Sequence, residues 1–212
     1  MRTDELIKAL AADAGTRQPA PSRALGLALV AGVALAGIVF AILLGPRDDI
    51  GTAIGTWRFE FKLVVTTLLF VTTIPVLVRL ARPDASLGNA ILPLAIAPLL
   101  LVAGIIVELM VTPPQAWVAH TVGHNWRDCL TIIPLLALTP LAAVMIALRS
   151  GAPASPMLSG ALAGVVAGAI SATYYATLCT DDSPLFVATW YTIAIIGLAL
   201  AGAIAGRTAL KW

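Results

Sequence analysis

The chain has 212 residues, of which 59% are hydrophobic and 11% charged, and its net charge is +2. Soluble domains carry about 25% charged residues, so this composition excludes a globule that covers itself with polar side chains. The small net charge carries no information about nucleic acid, but the sequence contains no basic cluster or nucleic-acid motif, so we expect no direct binding of nucleic acid. Two cysteines exclude a disulfide-rich scaffold. The composition instead predicts an all-α, polytopic integral membrane protein that contacts the lipid bilayer.

Six uncharged apolar segments approach or exceed the roughly 20 residues that a transmembrane helix needs. In chain order they are residues 24–44, 63–78, 90–107, 130–148, 157–178 and 185–205. The second can extend outward to Thr56, and the third contains Pro93 and Pro98, which membrane helices tolerate. We therefore predict a six-helix transmembrane domain at 23–206. An N-terminal amphipathic segment and linker at 1–22 precede it, and a short tail at 207–212 follows it.

The charges between these segments predict the orientation of the chain. Nine basic residues fall on the side of the two termini: Arg2, Lys8, Arg17, Arg23, Arg79, Arg82, Arg149, Arg207 and Lys211. Four fall on the other side: Arg47, Arg58, Lys62 and Arg127. Because cytoplasmic loops carry the excess of Lys and Arg, we expect both termini in the cytoplasm of a bacterial cell with the chain in its inner membrane.

Charged residues near the segments fall at their predicted outer ends. Ionisable groups at the bilayer centre usually mark ion or proton pathways, and the sequence places none there. Glu108 lies at the outer end of the third segment, and Arg58, Glu60 and Lys62 lie at the outer start of the second. We interpret them as interfacial anchors, with Lys62 reaching toward water and Glu60 able to pair with a neighbour. This pattern counts against an ion-coupled transporter.

The fourth and fifth segments are joined by a short loop at 150–156, which predicts an antiparallel helical hairpin. Within the fifth segment, Gly160, Gly164 and Gly168 recur every four residues. Small residues at that spacing favour close approach of a neighbouring helix.

The two cysteines are predicted to lie together at the outer membrane face. Cys129 comes just before the fourth segment and Cys179 just after the fifth. Neighbouring helix axes lie about 8–10 Å apart, and a disulfide needs Cα atoms within about 7 Å, so a modest inward orientation permits a bridge. The thiolates can also bind a soft metal ion. A signal-sensing pair, a static bridge and two small residues at helix ends all stay open on chemistry alone.

Two histidines precede the first cysteine. His120 and His124 are four residues apart and would share a face of a helix, although Gly123 lies between them. Together with Cys129 and Cys179 they can complete a metal site. The alternative is that both are ordinary interfacial polar groups.

The N-terminal segment has the pattern of a short amphipathic helix. Thr3 can cap it, acids follow in its first turn, and apolar residues recur along one face. A helix of about 12 residues is marginal alone in water and is stabilised by docking into a partner's groove. The alternative is a helix lying on the membrane. The residues assigned to partner binding are Thr3, Asp4, Glu5, Leu6, Ile7 and Leu10.

Several stretches of the chain carry a family resemblance. They are residues 1–13, Trp57 with Phe61-Lys62, Cys129 with Ile133-Pro134, and residues 174–184 followed by Trp190-Tyr191. With these stretches the whole chain resembles the NrsF family of bacterial membrane anti-sigma factors.

The resemblance implies a regulator without enzymatic activity. Such a protein holds an extracytoplasmic-function sigma factor at the inner membrane, away from RNA polymerase. Heavy metal or an oxidant outside would act through Cys129 and Cys179 and release it, with a regulatory heavy-metal ion as the one ligand implied.

Two other classes of function stay open on the sequence. One is a small-solute or metal transporter or channel of the inner membrane. The other is an enzyme acting on thiols or lipids at the outer face. The chain contains no P-loop, HExxH or GxSxG motif, and its cysteines lack the close spacing of redox enzymes, so we rank the enzyme last.

Overall fold

The structure is a computed structural model that describes residues 3, 5, 8, 21–82 and 88–210. The regular structure in these ranges is helical, and they contain no β-strand. Six of the described helices are long and apolar enough to cross a membrane. The prediction of an all-α fold with six helices of spanning length is confirmed for this part of the chain.

Each predicted segment coincides with one long helix. The helices are α1 Pro21–Leu43, α2 Trp57–Leu80, α3 Gly88–Val111, α4 Trp126–Arg149, α5 Pro156–Leu178 and α6 Pro184–Ala209. Two shorter helices, Ile50–Ala53 and Trp117–Val122, lie in the connections after α1 and α3. The start of the second segment was the least certain boundary, with a possible extension to Thr56. In the structure this helix begins at Trp57.

Two of the long helices are irregular. The first part of α3, Gly88–Ala95, is a 3₁₀-helix, and the α-helical part begins at Ile96. Pro93 lies in the 3₁₀ stretch and Pro98 near the start of the α-helical part, in keeping with the expectation that this segment tolerates both prolines. In α6 the stretch Val187–Tyr191 forms a π-helical turn, a feature that often marks functional sites.

The connections bring the helix ends together in two groups. We call one of them the cysteine end; it contains the helix ends Leu43, Trp57, Val111, Trp126, Leu178 and Pro184. A backbone hydrogen bond from the Arg47 N–H to the Thr177 carbonyl joins the connection after α1 to the last turn of α5. The terminal end holds the opposite helix ends. There Leu25, Leu148 and Leu210 are buried in one cluster. The chain therefore runs up and down between two ends.

Helix α5 is the most buried of the six and contacts α1, α2, α4 and α6. Its contact with α4 confirms the predicted hairpin. Its closest approach is to α6, where a Cβ on Gly160 would lie 2.2 Å from the Gly202 carbonyl oxygen, and one on Gly164 would lie 2.1 Å from that of Leu198. The close packing predicted from the glycine spacing is confirmed, with α6 as the partner.

Large apolar side chains point outward along the helices. Leu27 and Ile42 on α1, Leu99 on α3 and Ile204 on α6 are between 67% and 75% exposed. Monomeric soluble proteins rarely expose so much contiguous apolar surface, whereas lipid tails solvate it at no cost. The outer surface of these helices is therefore apolar enough to suit a lipid bilayer.

Near the N-terminus, Thr3, Glu5 and Lys8 have helical backbone and exposed side chains. Thr3 is thus inside a helix and is not the N-cap residue that the sequence suggested, because an N-cap has non-helical dihedrals. The predicted partner-binding residues Asp4, Leu6, Ile7 and Leu10 lie outside the described residues.

Candidate functional site at the cysteine end

The two cysteines lie in one packed cluster at the cysteine end. Helix α4 begins at Trp126, earlier than predicted, so Cys129 is in its first turn, not in front of it. Cys179 directly follows α5, as predicted. Both are free thiols, 0% and 2% exposed, within the same hydrophobic cluster. The structure thus brings together the pair that the sequence singled out and closes both thiols off from water.

Aromatic side chains from α5 and α6 close the site around the thiols. The rings of Tyr175 and Tyr191 lie 5.8 Å apart, and Phe186 packs edge-on against Tyr191. The Tyr175 hydroxyl donates to the Asn125 carbonyl at 3.2 Å, which ties α5 to the start of α4. The buried Tyr191 hydroxyl, on the π turn, has no hydrogen-bond partner among the described residues. A reagent can reach either thiol only if this wall opens.

Burial also sets the chemistry of Cys179. Desolvation disfavours the thiolate and raises the pKa of Cys179 above its ordinary value. The thiolate is the reactive form, so in the closed state this cysteine is held unreactive at neutral pH.

We therefore expect a strong pH dependence of Cys179 alkylation in the purified protein. Below a raised pKa, the thiolate fraction grows about tenfold per pH unit, so the maleimide rate should keep rising through pH 9. Peptide mapping of time points between pH 7 and 9.5 measures this rate. A rate that levels off at about pH 8.5 to 9, as expected for an ordinary cysteine, would show that burial does not hold the thiol protonated.

Two cations meet at the backbone carbonyl of Cys179. Lys62 Nζ donates to it at 2.6 Å and Arg47 Nη1 at 3.3 Å, and both side chains also form ion pairs with Asp182. Lys62 is 0% exposed. The prediction that it reaches toward water is therefore wrong: its ammonium turns inward because a carboxylate and a carbonyl from the connection after α5 satisfy it there.

A second ionic group surrounds Glu108. This carboxylate is fully buried and accepts from Arg58 Nε at 2.9 Å and from Ser183 Oγ at 3.1 Å, and His120 Nδ1 lies 2.9 Å from it. Glu108 and Arg58 are therefore not simple interfacial anchors, because they form an ion pair with each other. The acid predicted to pair, Glu60, is exposed instead.

Asp181 joins the same connection to the start of α4. Its Oδ2 accepts from the backbone N–H groups of His124 and Asn125, at 2.9 and 2.7 Å, and from the Asn125 side chain at 2.9 Å. Residues 179–183, which we call the latch segment, thus bind to the connection after α1, to α2, to α3 and to the start of α4.

The histidines do not share a helix face. His120 lies on the helix Trp117–Val122, which ends at Gly123 with φ +59°, and His124 follows that break. His124 Nδ1 lies 3.7 Å from an Asp181 oxygen. Both histidines line a cleft of about 630 Å³ beside the latch segment, together with Trp57. No three His, Cys, Asp or Glu side chains are grouped as metal ligands within 21–82 and 88–210.

Within the described residues, six helices long and apolar enough to cross a membrane, with a closed thiol pair and a buried ionic network at one end, indicate a helical protein of the membrane class. The family model described as negative regulator of sigma F, NrsF, matches residues 10–212. The chain is 38% identical to the anti-sigma-F factor NrsF of Caulobacter vibrioides and 31% identical to the probable anti-sigma-F factor NrsF of Azospira oryzae, each over the full length of both chains. No solved structure gives a significant match.

This chain therefore belongs to the NrsF family of anti-sigma factors. The resemblance noted in the sequence is confirmed. The family is regulatory and not catalytic, and it implies a sigma factor as the partner.

Proposed function

We propose that the six helices span the inner membrane of a bacterium, with both termini in the cytoplasm and the cysteine end outside. The outward apolar side chains of α1, α3 and α6 support insertion. The excess of Lys and Arg on the side of the termini supports this orientation. The latch segment and both thiols then face the extracytoplasmic side, where oxidants and metal ions arrive first.

We further propose that the chain sequesters an extracytoplasmic-function sigma factor through its N-terminal segment. The observation that carries this proposal is the full-length match to relatives named anti-sigma-F factors. On the side of the termini, the connections between the long helices at 81–87 and 150–155 have only seven and six residues, too few for a soluble domain. This leaves the segment 1–22, with the predicted apolar face of Leu6, Ile7 and Leu10, as the best docking element.

Co-purification tests this proposal. The full chain, tagged and extracted in detergent, is expected to bring down a sigma factor from its own bacterium. Changing Leu6 and Leu10 to aspartate should remove the partner, because burying two charges in an apolar groove costs several kcal/mol. Changing the exposed Lys8 to glutamine on the same segment is the matched control. If the double variant still binds and represses, the segment is not the main contact.

For sensing, we propose that Cys129 and Cys179 receive the signal. Their placement in one buried cluster allows them to act as a unit, either by forming a bridge or by offering two soft sulfur ligands to a heavy-metal ion. His120 and His124 are the weaker candidates for further ligands. Because both thiols are closed off at rest, a signal that reaches them must change the packing of α4 and α5 around them.

Single substitutions test the sensing role. Changing Cys129 or Cys179 to serine is expected to reduce induction of the sigma regulon by cadmium or by peroxide at least several-fold, with basal repression kept. Serine preserves the size of the side chain and removes the nucleophilic sulfur. A reporter assay in cells measures this, with immunoblots to confirm equal membrane levels. Normal induction in both variants would remove the cysteines from the mechanism.

A further inference from the structure

Cys179 faces two environments at once. Its thiol lies in the apolar cluster with Tyr175 and Tyr191, while its carbonyl oxygen is bound by Lys62 and Arg47. Its backbone N–H is fixed as well, because it donates to the Tyr175 carbonyl at 2.9 Å. A backbone movement that carries the thiol out of its pocket would therefore break the polar contacts of the same residue, so these contacts oppose it.

Of the two cations at this carbonyl, Lys62 forms the shorter hydrogen bond, at 2.6 Å compared with 3.3 Å for Arg47. Its ammonium is fully buried, lies 5.3 Å from the centre of the Phe59 ring, and has the Cys179 carbonyl and Asp182 as partners. Arg47 donates at a longer distance and also pairs with the exposed Asp49. A buried charge that loses its partners is costly, so Lys62 resists any movement of the latch segment away from α2.

We propose that Lys62 is a positioning residue that keeps the Cys179 thiol closed, by holding the carbonyl of the same residue and Asp182 against the start of α2. Opening of the thiol pocket and release of α2 from the latch segment are then one event. The regulatory meaning of this event depends on the sensing role proposed above, but the positioning itself does not.

This positioning extends the signal route beyond the α4–α5 hairpin. Helix α2 carries Lys62 near its start and runs to Leu80 at the terminal end, packing along α5 on the way. Release of Lys62 frees one end of a helix whose other end packs at the terminal end, where Leu77 lies in one cluster with Leu210. Alkylation of Cys179 adds bulk that the closed pocket cannot hold, and so favours the released state.

Thiol accessibility in the purified full-length protein tests the proposal without reference to a sigma factor. The Lys62→Met variant is expected to react with a maleimide at Cys179 at least about tenfold faster than wild type, which corresponds to about 1.4 kcal/mol in the opening equilibrium. Peptide mapping reads Cys179 separately from Cys129. Lys62→Arg, which keeps the charge, should stay within about threefold of wild type.

Two further variants guard against a general loss of packing. Glu60→Gln changes an exposed charge one half-turn away and should label like wild type. Asp182→Asn removes the ionic partner from the other side and should label fast even if Lys62→Met fails to accumulate. Wild-type labelling rates in both Lys62→Met and Asp182→Asn, or in whichever of the two accumulates, would overturn the proposal. If the wild-type protein binds no sigma factor in the co-purification experiment, the proposed function is overturned, but the labelling result and the positioning role of Lys62 still stand.

Discussion

Replacing Gly164 with alanine is expected to destabilise the protein strongly. The new Cβ would lie 2.1 Å from the Leu198 carbonyl oxygen and 2.8 Å from the Ala199 Cα. Both are backbone atoms of α6, so no rotamer change relieves the clash and the two helices must separate. Overpacking typically costs about 1–3 kcal/mol, and a backbone clash falls at the upper end.

The opposing effect is smaller. Alanine gains about 1 kcal/mol over glycine in helix propensity, which does not offset the lost packing of α5 on α6. The same change at Gly197 is the matched control, since that glycine lies on α6 with nothing within 4 Å of its Cβ position. Thermal unfolding in detergent should show a clear fall in melting temperature for Gly164→Ala and none for Gly197→Ala. Equal stability of the two variants would contradict this α5–α6 interface.

The long helices could be predicted because their signal is local. The length and the apolar character of a segment such as 24–44 can be read from consecutive residues. The thickness of a bilayer sets the length that such a helix needs. The glycine repeat of α5 also predicted a close contact, because small residues at that spacing allow the backbone of a neighbouring helix to approach. It could not name α6 as the partner, since spacing on one helix carries no information about which helix approaches.

The ionic network was missed because its partners are far apart in sequence. Lys62 and the Cys179 carbonyl are 117 residues apart, and hydropathy alone cannot join them. One signal was present: Arg58 and Lys62 lie four residues apart on α2, and charges in a membrane protein are expected to pair inside the bundle. The acids of the latch segment at 181–182 were available as partners at the same predicted end.

The thiol pair and this network share one short segment. Cys179 supplies the thiol, Asp182 binds the cations, and Ser183 donates to Glu108 on α3. The latch segment therefore connects the sensing residues of the proposed function to α2 and α3, two helices that no sequence pattern links with the cysteines. In the proposed function, coupling across the membrane can use these helices as well as α4 and α5.

Arg58 and Glu108 are expected to behave as one coupled pair. Glu108 is fully buried, so Arg58→Ala leaves a carboxylate without its cation, with only His120 and Ser183 beside it. Breaking a fully buried pair costs about 3–5 kcal/mol. The Arg58 side chain is 35% exposed and screened by solvent, so we expect about 2 kcal/mol for its removal.

A double-mutant cycle measures the coupling. Arg58→Ala and Glu108→Ala together should cost less than the sum of the single variants by about 1 kcal/mol or more, because the double variant leaves no buried charge unpaired. Glu60→Ala, an exposed acid on the same turn of α2, should change stability by less than about 0.5 kcal/mol. Strict additivity of the two substitutions in detergent unfolding would show that Glu108 does not depend on Arg58.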